Sequence, residues 1–318
     1  MNTIKIIFFI LIFSNFLHAN EVENKKKIIY LSADINIPFW QIMAKGIEST
    51  TNTFAYDFEI YNSNNSVKKE LELTIKAIKE KVAGIIISPT NSSACATVLR
   101  LAKEAKIPVV ISDVGTDSGE YISYISSNNK EGAYNIGKIL AKKMINKKWN
   151  KGKVGIIAIP QKRLNGQQRT AGFMEALDES DIKGANIKQI SNWSNKETYD
   201  YTKQLIENYP ELRAIWLQTS NTYNGALKAI KDMKKQNDIL LIAFDAEPEF
   251  LKLIKEEEII ASGMQQPYLM GKVAAQTIHK HLKGLKVKKD IQIPILSVTT
   301  ENIQSKLPLI KQNVLGLE

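Results

Sequence analysis

Short, mostly apolar runs alternate along this chain with stretches of helical periodicity. The runs at 28–31, 58–61, 84–87 and 108–111 are each followed by a polar loop and then by an amphipathic segment. One such segment places Leu71, Ile75, Ile78 and Val82 at i, i+4, i+7 and i+11, which predicts a single buried stripe on a helix. Strands that are apolar throughout, rather than alternating, belong to parallel sheets covered by helices on both faces. A short segment at 124–128 follows a turn at Asp117-Ser118-Gly119, and the helix after it carries Ala133, Ile136, Leu140 and Met144 on one face. The pattern then restarts, with strands predicted at 153–159, 185–190, 213–217, 239–244 and 259–264. Ser194-Asn195-Lys196-Glu197 has the form of a capping box, so a helix starts just after Trp193 and leaves that indole in the preceding loop. A helix over 267–282 comes next. Residues 290–298 read as a last extended segment, in which Pro294 makes an edge or a crossing. The tail is expected to be a short helix or irregular.

The length exceeds that of one ordinary domain, so two lobes are expected, each with its own core. Residues 1–19 read as an export signal: Lys5, the apolar run Ile6–Phe13, and Ala19 as the small residue at the cleavage point. That run is shorter than the roughly 20 residues that span a bilayer. Cys95 is the only cysteine, so no internal disulfide is possible; it is expected as a small buried hydrophobe. The net charge is +10, or +9 once Lys5 leaves with the signal. The lysines alternate with acids along predicted helices, as in Lys68-Lys69-Glu70-Leu71-Glu72, which fits a solvated surface better than a nucleic-acid face.

Catalytic chemistry is thin. His279 and His281, two apart on a predicted helix, point to different faces and cannot act as paired ligands. No metal site, cofactor or enzymatic activity is expected. Gly132-Ala-Tyr-Asn-Ile-Gly137-Lys138-Ile139 approaches a phosphate-binding loop, but Ile139 stands where the magnesium-binding hydroxyl belongs, and the segment lies inside a helix pattern.

Open parallel sheets bind ligands at the carboxyl ends of their strands. There this chain carries Phe39 and Trp40, then Pro89 and Thr90, then Asp113. These residues and their neighbours resemble the ribose-type periplasmic binding proteins. Ile37-Pro38-Phe39-Trp40 resembles their Asn-Pro-Phe-Phe loop, and Gly84 to Thr90 their strand ending in Asn-Pro-Thr. Ile107 to Asp113 resembles their Ile-Pro-Val strand ending in Asp, and Arg169-Thr-Ala-Gly172-Phe173 their Arg-x-x-Gly-Phe helix start. Leu241 to Asp245 resembles their Gly-Phe-Asp strand, and Gln265 sits where their hinge glutamine sits. The likeness runs from about Lys27 to Val298.

The resemblance implies the type I fold: α/β, two Rossmann-like lobes with parallel sheets joined by a three-segment hinge. The lobes are expected as 24–127 plus 265–293 and 128–264 plus 294–318, with the hinge near Ser127, Gln265 and Pro294. A ligand cleft is implied, lined by Phe39, Trp40, Thr90, Asp113, Gln167, Arg169, Trp193, Thr219, Asn221, Asp245 and Gln265. The departures bear on the ligand. Val114 and Gln167 stand where many sugar binders have arginine, Ile37 replaces an asparagine, and Arg163 is a possible substitute donor from the same loop as Gln167. Asp113 and Asp245 suit either ligand contact or a helix cap; Phe39 and Trp40 suit either the cleft or the core. A monomeric periplasmic protein that closes on a sugar, a polyol or an amine-type ligand is expected. Its partner is either the permease of an ABC importer or the periplasmic domain of a sensor kinase.

Overall fold

The structure, a computed structural model, describes residues 25–317, so the expected export signal over residues 1–19 lies outside the described residues. In chain order the strands are β1 (Lys27–Ser32), β2 (Asp57–Asn62), β3 (Gly84–Ser88), β4 (Val109–Ser112), β5 (Ser123–Ser127), β6 (Lys153–Ala158), β7 (Gly184–Gln189), β8 (Leu212–Leu217), β9 (Leu240–Phe244), β10 (Ala261–Met264), β11 (Asp290–Ile293) and β12 (Leu296–Thr299). They form two six-stranded sheets, ordered β11-β5-β4-β3-β1-β2 and β12-β10-β9-β8-β6-β7. Every pairing is parallel except that of β12, which runs antiparallel to β10 at the edge.

Helices cover both faces of each sheet, as the apolar strands require. In the first lobe α1 (Pro38–Thr53) and α9 (Pro267–Leu282) bury Ile28 and Tyr30. On the other face α2 (Val67–Lys79) and α3 (Ser92–Glu104) bury Ile29 and Leu31. In the second lobe α4 (Asn129–Asn146) and α5 (Leu164–Asp178) cover one face, and α6 (Asn195–Asn208), α7 (Tyr223–Asp232) and α8 (Phe250–Leu253) the other. The helix pairs α1/α9 and α4/α5 approach closely because small residues lie between them. A Cβ on Gly46 would run into the Tyr268 carbonyl, and one on Gly172 into the Lys130 carbonyl.

The chain passes between the sheets three times: after Ser127, through Gln265–Gln266, and at Pro294. The extended segment expected over 290–298 is therefore two strands in different sheets. Proline cannot donate to either ladder, and it marks the break. The tail forms α10 (Ile303–Leu309) and a π-helical turn at Ile310–Val314. Ile310, Val314 and Leu315 join the second-lobe core, while Gly316 lies against Ile42 and Tyr268 of the first lobe.

One expectation needs correction here. The buried face of α2 centres on Glu70, Thr74 and Ala77, so Ile75 is exposed and the apolar stripe is rotated by about one residue. The reason lies at the cleft: the Glu70 carboxylate is held by Thr90. Tyr223 is buried and packs edge-on against Phe250 at 5.2 Å. Cys95 is fully buried, and burial pushes its thiol up to about 12. The near-miss phosphate loop lies within α4.

Candidate ligand cleft

The loops at the carboxyl ends of the two sheets meet each other, and the two lobes present equivalent turns there. Asp113 follows β4 with φ at 69°, and Asp245 follows β9 with φ at 66°. Aspartate tolerates this left-handed conformation better than most residues. In each turn the backbone N–H reaches the next strand: Asp113 to the Ile125 carbonyl at 3.0 Å, Asp245 to the Gly263 carbonyl at 2.9 Å. The side chains are thereby aimed past the sheet edge and into the cleft.

Neither carboxyl caps a helix; both bond cleft side chains. Asp113 Oδ1 accepts from Asn165 Nδ2 at 3.2 Å across the cleft. Asp245 Oδ1 accepts from Gln265 Nε2 at 2.6 Å, and its Oδ2 lies 3.5 Å from Arg169 Nη1. Burial raises both groups above the ordinary carboxylate range, Asp113 to about 6, with Arg169 pulling each back.

Two guanidiniums answer the two carboxylates. Arg169, on α5, donates from Nε to Asn129 Oδ1 at 2.9 Å and from Nη1 to the Gln218 carbonyl at 2.7 Å. It also stacks on Phe244 at 4.1 Å. Arg163 sits at the N-terminus of α5 and crosses to the first lobe, where it is 4% exposed. Its guanidinium lies between two indoles, 5.4 Å from Trp40 in the first lobe and 5.1 Å from Trp193 in the second. Its Nε donates to the Thr90 carbonyl and its Nη2 to Asn65 Oδ1, each at 3.0 Å. Burial lowers it to about 10, which leaves it charged at neutral pH. Beside it, Leu164 N donates to Ser92 Oγ at 3.1 Å, so three successive residues, 163 to 165, bridge the lobes.

Glu70 anchors the first-lobe side of this bridge. It accepts from Thr90 N at 2.7 Å and from Thr90 Oγ1 at 3.2 Å. Burial pushes its carboxyl up to about 7. Thr90 thus offers its carbonyl to the cleft and spends its hydroxyl behind it.

The remaining expected residues divide. Phe39 is half-buried and meets Trp40 edge-on at 6.2 Å. Thr219 Oγ1 donates to Asn221 Oδ1 at 2.7 Å, with Thr219 buried and Asn221 on the cleft wall. Gln265 is buried and its Oε1 has no partner; the same holds for Trp40 Nε1. Gln167 is a correction: it is exposed and donates to the Gln161 carbonyl at 2.9 Å. Two residues from Arg169 on one helix, it turns nearly to the opposite side. At the crossings, Ser127 ends β5, and the Pro294 carbonyl accepts from Gln266 Nε2 at 2.8 Å. Residues 65, 70, 129 and 165 were not picked out by the sequence. Asn-Gly at 165–166 reads as a plain turn, and Glu70 reads as a solvated helix face beside apolar neighbours.

Outside Arg163 the cleft opens into a polar chamber of about 640 Å³, whose walls include Asp34, Asn65, Trp193, Asn221 and Glu247. Among the described residues no group of His, Cys, Asp or Glu is placed to hold a metal ion, and no helix is long and apolar enough to cross a membrane.

The fold and cleft can be set beside known proteins. The family described as periplasmic binding protein domain matches residues 28–286. This chain belongs to the periplasmic binding protein family. Its similarities place this binding protein with the type I, ribose-type members. The ribose import binding protein of Bacillus subtilis is 28% identical over 278 residues, covering 87% of this chain and 88% of that one. The D-apiose import binding protein of Paraburkholderia graminis is 24% identical, covering 86% of each. Among solved structures, a carbohydrate transporter solute-binding protein from Agrobacterium radiobacter in complex with D-arabinose superposes with a TM-score of 0.84 at 22% identity. It covers 92% of this binding protein and 99% of its own chain, and shares the fold.

Proposed function

We propose that this binding protein captures a neutral monosaccharide in the periplasm and delivers it, in the closed form, to the permease of an ABC importer. The observation that carries the reading is the charge balance of the cleft. Asp113 and Asp245 face Arg163 and Arg169, two carboxyls against two guanidiniums, with Glu70 held behind Thr90, a balance that favours a neutral ligand rich in donors and acceptors. Gln265 Oε1 and Trp40 Nε1, buried without partners, add an acceptor and a donor that sugar hydroxyls can satisfy. A buried polar group left unpaired costs about 1–3 kcal/mol. The named ligands of the relatives, ribose and D-apiose, belong to this class.

Closure follows from the same residues. A sugar held by Asp113 and the first lobe gains Arg169 and Asp245 when the second lobe arrives, with Gln265 supplied from the crossing between them. The closed state therefore has the higher affinity, and binding shifts the population toward it. Ser127, Gln265 and Pro294 are the positions proposed to absorb the rotation. The closed surface is what the permease reads. A sensor-kinase partner drew its support from a cleft short of guanidiniums, and Arg163 weakens that ground.

The test is a calorimetric titration of refolded, ligand-free protein with pentoses and hexoses, and with the acid, phosphate and amine derivatives of each. At least one neutral sugar should bind, and its charged derivatives should bind at least about tenfold more weakly. Preference for an amine or amine oxide, with no response to neutral sugars, contradicts the reading.

A further inference from the structure

Arg163 belongs to the second lobe, yet most of what holds it belongs to the first. Its Nε and Nη2 donate to Thr90 and Asn65, and its guanidinium lies against Trp40. The carboxyls that attract it, Asp113, Glu70 and Asp34, are all on the first lobe, while the cation that repels it, Arg169, is on its own. Its two neighbours reach the same way: Leu164 N to Ser92 Oγ, and Asn165 Nδ2 to Asp113 Oδ1. From its own lobe Trp193 props the guanidinium. That indole is carried at a φ of 55°, a left-handed conformation rare for a bulky residue, just before the cap of α6. The first-lobe side is equally fixed, since Glu70 takes both the N–H and the hydroxyl of Thr90 and leaves its carbonyl to Arg163.

We infer that Arg163 is a positioning residue for closure: a latch that draws the lobes together whether or not a ligand lies between them. Opening the cleft breaks both hydrogen bonds, parts the guanidinium from Trp40 and moves it away from three carboxyls; closing restores all of these. Charge-assisted hydrogen bonds are the stronger kind, and Arg163 is buried. Withdrawing the guanidinium from water offsets part of this gain. The latch therefore shifts the balance of open and closed forms without fixing it, and a ligand completes the closure. The inference does not depend on the ligand being a sugar. A lysine at this position has no plane to lie on an indole and no fork to reach Thr90 and Asn65 together.

The experiment reads the distance between the lobes in refolded, ligand-free protein. Lys68 on α2 and Lys196 on α6 are exposed and flank the cleft from opposite lobes, close in sequence to Asn65 and Trp193 of its walls. Nitroxides on Lys68→Cys and Lys196→Cys report the separation by double electron–electron resonance, and the buried Cys95 stays unlabelled. The labelled protein is compared with its Arg163→Ala, Arg163→Lys and Ser92→Ala forms, each checked by circular dichroism and thermal melting. In Arg163→Ala the ratio of the short-distance to the long-distance population should fall by at least about fivefold, with Arg163→Lys between. Ser92→Ala, which loses one bridging bond and no charge, should fall by less. A ratio that Arg163→Ala leaves unchanged overturns the latch, and so does an unsubstituted protein with no short-distance population. If Arg163→Ala does not fold, Arg163→Lys and Ser92→Ala decide by the same ratio: a fall supports the latch, and no change overturns it. Because no ligand is present, the result is separate from the sugar titration: the latch can fail while a sugar binds, and hold while none does.

Discussion

Asp113 and Glu70 illustrate how much of the cleft chemistry is set by burial rather than by residue type. Each carboxyl is held above its ordinary range, Asp113 at about 6 and Glu70 at about 7, chiefly because water is excluded. A folded-state value above the unfolded one means that the folded protein binds the proton more tightly. The stability each group contributes is therefore present below its unfolded value and is lost as pH rises through the folded value. Replacing Glu70 by Gln removes this titration while keeping an acceptor for Thr90 N–H. The melting temperature of Glu70→Gln relative to the wild type should rise as pH increases from about 5 to about 8. A difference that stays flat across this window would place the Glu70 titration elsewhere. Asp113→Asn keeps the shape but loses a charge-assisted acceptor, and should weaken sugar binding by roughly 10- to 100-fold in calorimetry. Asn at 167 in place of Gln should leave binding within about twofold, since Gln167 faces solvent.

At the scale of elements, the apolar runs locate nearly every strand of both sheets, because strands buried on both faces leave no polar alternation to misread. The edges are harder. β7 is half-exposed along its length, and the 290–298 segment reads as one strand although Pro294 divides it between sheets. The periodicity of α2 misplaces its buried face by one residue because a tertiary partner, Thr90, draws a carboxylate inward against its hydropathy. Strand-end aspartates are legible for the opposite reason: their position on the chain fixes their position on the sheet. Arg163 is legible only as a substitute donor from its loop, since its reach across the cleft depends on two indoles from different lobes. The helix pairs offer a further prediction. Gly172→Ala forces α5 away from the Lys130 carbonyl on α4 and should cost about 1–3 kcal/mol. At roughly 2–4 °C per kcal/mol for a chain of this size, the loss is readable in a thermal melt. An unchanged melting temperature would mean that the pair separates freely.

For the whole molecule, the central relation is between three crossings and one bridge. The chain crosses between the lobes at Ser127, Gln265–Gln266 and Pro294, while residues 163–165 bond across the cleft. The C-terminal turn touches both lobes and the hinge, with Asn313 Nδ2 donating to Gln266 Oε1 at 2.9 Å. On the proposed reading such a frame has two arrangements, open and closed, and a ligand between the lobes decides their balance. Small-angle scattering of refolded, ligand-free protein, with and without a saturating neutral monosaccharide chosen by calorimetry, tests this most directly. A smaller radius of gyration and a shift of the distance distribution to shorter lengths on sugar binding is the predicted result; an unchanged curve at saturation would contradict capture by closure.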